Sequence, residues 1–161
     1  IANEIKNLKT VADTKPVNKE MIQSLCTPSI HASIFKLTDQ LSQKSLQQSL
    51  KTVEELADSG EDLIRVFFMI IRHFRILIQV KEMNEDGESR QTIIKKLRQH
   101  PFVIQKTTQQ ARNFENPQLK EIYQELLDID HKSKTGKIKT YGKDNSEFKL
   151  AIEQFIINCC K

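Results

Sequence analysis

The side chains of this 161-residue sequence that could do chemistry are four histidines, three cysteines and a few neighbouring carboxylates. His31, His73, His100 and His131 lie far apart, with no His-Glu-x-x-His pair and no spacing of a nucleophile, base and orienting acid. His73 falls inside an apolar run and reads as a hydrogen-bonded residue of the core or its margin. Cys26, Cys159 and Cys160 are odd in number and lack a C-x-x-C spacing, so a metal site with His31 or His131 has no matching ligand pattern. They read as small core or surface residues. Glu54-Glu55, Glu85-Asp86 and the Asp128/Asp130 pair sit on exposed helix faces or turns, where carboxylates are solvated rather than poised for proton transfer. The stretch from Gly136 to Lys143 superficially resembles a phosphate-binding loop. It has five residues between its glycines where such a loop needs four, Asp144 stands where a Ser or Thr would hold magnesium, and no strand precedes it. No catalytic residue, cofactor or metal is predicted.

The elements that must carry these residues are helices. Only 4 glycines, 4 prolines and no tryptophan interrupt a chain rich in Gln, Lys, Glu, Leu and Ile, and period-2 alternation is rare. The fold class is all-α. The richest apolar stretch is Leu63 to Val80. At 3.6 residues per turn, Val66, Phe67, Ile70, Ile71, Phe74, Leu77 and Ile78 cover more than half of its circumference. Arg65, Arg72 and Gln79 share the remaining strip, with His73 and Arg75 on its margins. Such a helix needs several others around it, so it is predicted to be central, with Phe67, Ile70, Ile71, Phe74, Leu77 and Ile78 as core. A membrane span is excluded by its arginines, each costing about 2.5–3.5 kcal/mol at a bilayer centre.

Around it, the pattern predicts a helix over residues 1–12 and a short one over 18–25. Thr27-Pro28 starts a helix carrying Ile30, Ile34, Leu37 and Leu41. The next runs over about 45–58, with Leu46, Leu50, Val53 and Leu56 inward and Ser59-Gly60 as its stop. Glu61-Asp62 opens the central helix at the positive end of its dipole, and the helix persists to about Met83. Ser89 caps a short helix with Ile93, Ile94 and Leu97. A helix over 101–114 has a mixed face of Phe102, Val103, Gln109 and Arg112. Asn116-Pro117 then caps a helix with Leu119, Ile122, Tyr123, Leu126, Leu127 and Ile129, ending near Lys134. A basic loop leads to Ser146 and a last helix with Phe148, Leu150, Ile152, Phe155 and Ile156. Residues 1–26 read as the end of a preceding domain and 27–161 as one helical bundle. The chain begins at Ile1 within a helical pattern, which predicts a piece of something longer, and no secretory leader opens it, so a cytoplasmic location is expected.

The net charge of +4 is concentrated. Lys132, Lys134, Lys137, Lys139, Lys143 and Lys149 face only Asp144 and Glu147 in their segment, and the rest of the chain balances. A basic segment of this kind could attract phosphate, which makes a nucleic-acid-binding helical domain using residues 132–149 one functional alternative. A solvated connection is the simpler reading of the same lysines. Half-polar helix faces rich in glutamine suit burial against protein partners.

Five stretches, in order, resemble the C-terminal collar domain of the delta subunit of the bacterial DNA polymerase III clamp loader. Glu4-Ile5-Lys6-Asn7-Leu8 is similar to the helix closing that family's lid domain. Ser33-Ile34-Phe35-Lys36-Leu37 through Leu41 is similar to its Phe-x-Leu-x-Asp helix. Gly60-Glu61 followed by Arg72-His73-Phe74-Arg75 matches its GE…R-x-x-R run. His100-Pro101-Phe102 with Gln110-Ala111-Arg112 and Phe114, and then Leu126, Asp130, Lys134-Thr135-Gly136 and Glu153, complete the likeness. The loop after Gly136 is longer and more basic than the family's.

The resemblance implies a helical collar preceded by the last helices of an AAA+ lid domain. It implies an oligomerisation module in loading the sliding clamp onto primed DNA during replication, without ATP site or chemistry of its own. The implied partners are the gamma/tau and delta-prime subunits through the collar, and the sliding clamp through an N-terminal domain outside this chain. Primed DNA is engaged through the complex. Arg72, Arg75 and Lys134 are then expected to order the bundle or its rim, as interface residues, through bonds to helix ends and carboxylates. A collar from another clamp-loader subunit and, least supported, an enzyme are the remaining alternatives.

Overall fold

The computed structural model describes residues 30–140 and 146–161. The helices expected over 1–12 and 18–25, the Thr27-Pro28 start, the boundary near residue 26, Cys26, and residues 141–145 of the basic loop lie outside them. Seven helices and no strand make up the described residues: α1 (Ile30–Ser42), α2 (Leu46–Asp58), α3 (Leu63–Glu85), α4 (Arg90–Leu97), α5 (Pro101–Ala111), α6 (Asn116–Lys134) and α7 (Ser146–Cys159).

The boundaries follow from local chemistry. α1 ends where Lys44 takes a left-handed backbone (φ +54°), letting the Ser45 N–H reach the Gln40 carbonyl at 2.9 Å. α2 ends the same way at Gly60 (φ +79°), with Glu61 N–H donating to the Leu56 carbonyl, and there glycine meets no steric penalty. Asp62 caps α3, its Oδ1 accepting from Ile64 N–H at 3.0 Å, and Ser89 caps α4 through Thr92 N–H at 3.2 Å. His100 caps α5: its Nδ1 accepts from Phe102 N–H at 3.2 Å, and Pro101 begins the helix without losing a bond. Asn116 does not cap α6 as expected. Glu115 holds the cap position, and the Asn116 amide instead donates to both Glu85 oxygens (3.3 and 3.0 Å), joining α6 to the end of α3. α5 stops at Ala111, three residues short of the expected end.

Every other described helix touches α3. Its core face carries Val66, Phe67, Ile70, Phe74 and Leu77, all buried. Ile71 and Ile78, expected in the core, are half-buried against it. They lie a heptad apart on the flank between the buried face and the edge bearing Phe68 and Arg75, where covering helices reach only part of the side chain. The main core is aromatic at its centre. Phe67 packs edge-to-face on Phe148 at 5.3 Å, and Phe74 on Phe114 at 5.9 Å and Phe155 at 6.3 Å. A smaller cluster of Ile76, Val80, Ile93 and Ile104 binds α4 and α5 to the far half of α3. Leu127 and Leu150, expected among the apolar residues of their helices, are exposed. No described helix is long and apolar enough to cross a membrane.

Candidate functional site

The densest polar construction lies between α1, α3 and α5. His73, on α3, is 95% buried, and its Nε2 is 2.7 Å from Gln110 Oε1 on α5. The Gln110 amide nitrogen donates to the Phe35 carbonyl at 3.0 Å and to Asp39 Oδ1 at 2.8 Å, both on α1. Those two donations make Oε1 the accepting end, so His73 must be the Nε2–H tautomer. Asp39 Oδ2 in turn meets Lys106 Nζ at 2.7 Å. The rings of Phe35 and His73 meet edge-to-face at 5.0 Å, and Phe35 meets Phe102 at 6.0 Å. Burial pushes the His73 pKa down to about 4, against the raising effects of the Gln110 hydrogen bond and the Asp39 charge. The imidazole is therefore neutral at physiological pH. It has no nucleophile to activate, and its one hydrogen bond ties helices together.

Sequence reading found His73 but not its partners. Gln110 had one legible signal: with Ile104, Thr107 and Ala111 it occupies the inward face of α5. The stretches carrying the family resemblance meet here, since Phe35 and Asp39, His73, and Gln110 come from three of them.

The three expected rim residues stand outside this joint and share no bond with one another. Arg72 is exposed and donates to Gln99 Oε1 at 3.2 Å, reaching the turn between α4 and α5. Arg75 is exposed and its side chain makes no hydrogen bond or ion pair among the described residues. Lys134 pairs with Asp130 at 2.7 Å and lies over the Phe68 ring at 5.7 Å, crossing from α6 to α3.

The remaining candidates are occupied by ordinary surface or core roles. Of the lysines in the basic segment, Lys132 pairs with Asp128, Lys134 with Asp130, Lys139 with Glu147 and Lys149 with Glu153. Much of its charge is thus balanced locally. Glu55 pairs with Lys36, and Glu85 with Lys81, while the Asn116 amide holds the Glu85 carboxyl below its usual range. Burial raises the Cys159 thiol far above the thiol range, and Cys160 is raised for the same main reason, so neither is a ready thiolate. Among the described residues no group of three or more His, Cys, Asp or Glu could hold a metal ion.

A body of this kind, seven described helices packed about one of them with a buried polar joint between three, belongs to the class of all-α helical bundles. The sequence model for the DNA polymerase III delta subunit, C-terminal domain, matches residues 31–159. The chain belongs to that family. It is 28% identical over 162 residues to the DNA polymerase III subunit delta of Bacillus subtilis, an alignment covering 100% of this chain and 44% of that protein. Its fold is similar to the solved Bacillus subtilis DNA clamp loader delta protein, with a TM-score of 0.80 and 25% identity over 98% of this chain and 44% of the other. The chain thus spans less than half of the length of the relatives it matches.

Proposed function

We propose that this chain is the collar module of a clamp-loader delta subunit. In this reading residues 27–161 hold the subunit in a ring with the gamma/tau and delta-prime subunits, and residues 1–26 close the preceding AAA+ lid domain. The module works in the bacterial cytoplasm as part of the machinery that loads the sliding clamp onto primed DNA. It has no reaction of its own. Contact with the clamp belongs to an N-terminal domain outside this chain.

The observation that carries this reading is the family match across residues 31–159. The build of the molecule supports it. Every other described helix packs against α3, whose outer strip stays exposed, and the buried polar joint gives the outward faces a set angle. Arg72, Arg75 and Lys134 lie on one such face and are proposed as interface residues.

The test is co-purification of the full-length delta protein with gamma/tau and delta-prime, with and without residues 27–161. Retention of both subunits only when these residues are present is expected. Unchanged assembly after their removal would overturn the reading.

A further inference from the structure

The outward strip of α3 differs in composition from the rest of the surface. Three of the chain's six arginines, Arg65, Arg72 and Arg75, lie on it, with no lysine among them. Phe68, one turn before Arg72, is 46% exposed in their midst. Several surface lysines elsewhere are mated to acids: Lys36 to Glu55, Lys81 to Glu85, Lys106 to Asp39, Lys132 to Asp128. On the strip Arg65 reaches Glu61, but Arg72 and Arg75 have no acid partner among the described residues. Arg72 is held only by the neutral amide of Gln99, so its position is set while its charge stays uncompensated. Arg75 has no carboxylate partner among the described residues. The acids nearby sit at the margins. Glu61 is 3.8 Å from Arg65, Glu82 lies near the far end of the strip, and Asp130 is taken by Lys134.

We infer that this strip docks a carboxylate-rich segment of a neighbouring protein, with Phe68 as its apolar anchor and Arg72 and Arg75 as its readers of acid. The inference rests on the collar reading and deepens it by giving the partner's chemistry. The planar guanidinium fork matches a carboxylate bidentately, which a lysine ammonium cannot do. Arginine and exposed aromatics with few lysines are the composition of protein interfaces. Binding along a phosphate backbone would reward the number of cations whatever their type. Lys134, which reaches the strip over the Phe68 ring, is already paired with Asp130, so the cations left there for a partner are arginines.

The experiment uses full-length delta protein with gamma/tau and delta-prime. The double reversal R72E/R75E is expected to weaken assembly by about tenfold, a difference of about 1.4 kcal/mol, with wild-type thermal melting because both side chains are exposed. R72A/R75A, which introduces no repulsion, should weaken it less but in the same direction. In the assembled complex, R72K and R75K variants treated with a zero-length carbodiimide should form amide links to Asp or Glu of a neighbouring subunit, each with loss of one water. Assembly unchanged by reversal, with no such link, would overturn the docking surface. If deletion of 27–161 still abolished assembly, the collar reading would stand without it. Loss of primed-DNA affinity by R72E/R75E with subunit assembly intact would assign the strip to nucleic acid and overturn the inference.

Discussion

The two sides of α3 are built on different physics. Below it, Phe67 and Phe74 pack with Phe114, Phe148 and Phe155 in contacts that are broad and only loosely directional. Beside it, His73, Gln110 and Asp39 form a chain of hydrogen bonds in which each buried donor is matched to an acceptor. The aromatic side supplies cohesion. The polar joint supplies little net stability over an apolar substitute, but it specifies how α1 and α5 sit on α3, because any other angle leaves buried donors unmet. For a helical bundle this difference matters: cohesion keeps it together, and angle decides where its outward faces point.

The contrast can be broken most forcefully from the aromatic side. Phe74→Ala removes a ring with no solvent exposure and opens a cavity that rigid neighbours fill only in part, so it should cost about 3–5 kcal/mol. A denaturant midpoint near wild type would show that the aromatic packing contributes little there. The joint responds to acid instead. Above pH 6.5 His73 is neutral in folded and unfolded chains alike, and its contribution is fully present. As pH falls from 6.5 toward about 4 only the unfolded chain takes up the proton, so stability declines by up to about 3 kcal/mol, and the loss is complete below about 4. Denaturant midpoints at pH 7 and pH 5 should differ accordingly, by about 2 kcal/mol, and His73→Leu should flatten this dependence. An equal slope in that variant would place its cause elsewhere.

The smallest effect sharpens the comparison. Gln110→Leu strands the buried His73 N–H, and should cost about 2 kcal/mol. Joining it to His73→Leu, so that both ends become apolar, should recover part of that loss. A strictly additive double variant would mean the two side chains are not coupled in the folded protein.

The difference between the two sides also decides how much was legible beforehand. Ile30, Ile34, Leu37 and Leu41 repeat at helical spacing and are buried as that spacing implies. Ser89 and Pro101 announced the starts of their helices through capping chemistry confined to a few neighbouring residues. Asn116 resembled the same device and was not one, because Glu85, distant in sequence, offered its amide a charged partner. His73 read as a core or margin residue, but nothing near it in the chain names Gln110, 37 positions away. Phe68 and Phe67 are adjacent and chemically identical; only the arrangement of the surrounding helices leaves one exposed and covers the other.

The sequence by itself determined the all-α class, the central helix, most helix limits and the family, because periodicity, caps and short ordered motifs are local properties of a chain. The tertiary structure alone decided which buried polar groups meet, which apolar residues stay outside, and which arginines are left without acids. Those outcomes depend on distances between residues far apart in sequence, and a hydrogen bond or ion pair exists only once packing has brought both partners within about 3–4 Å.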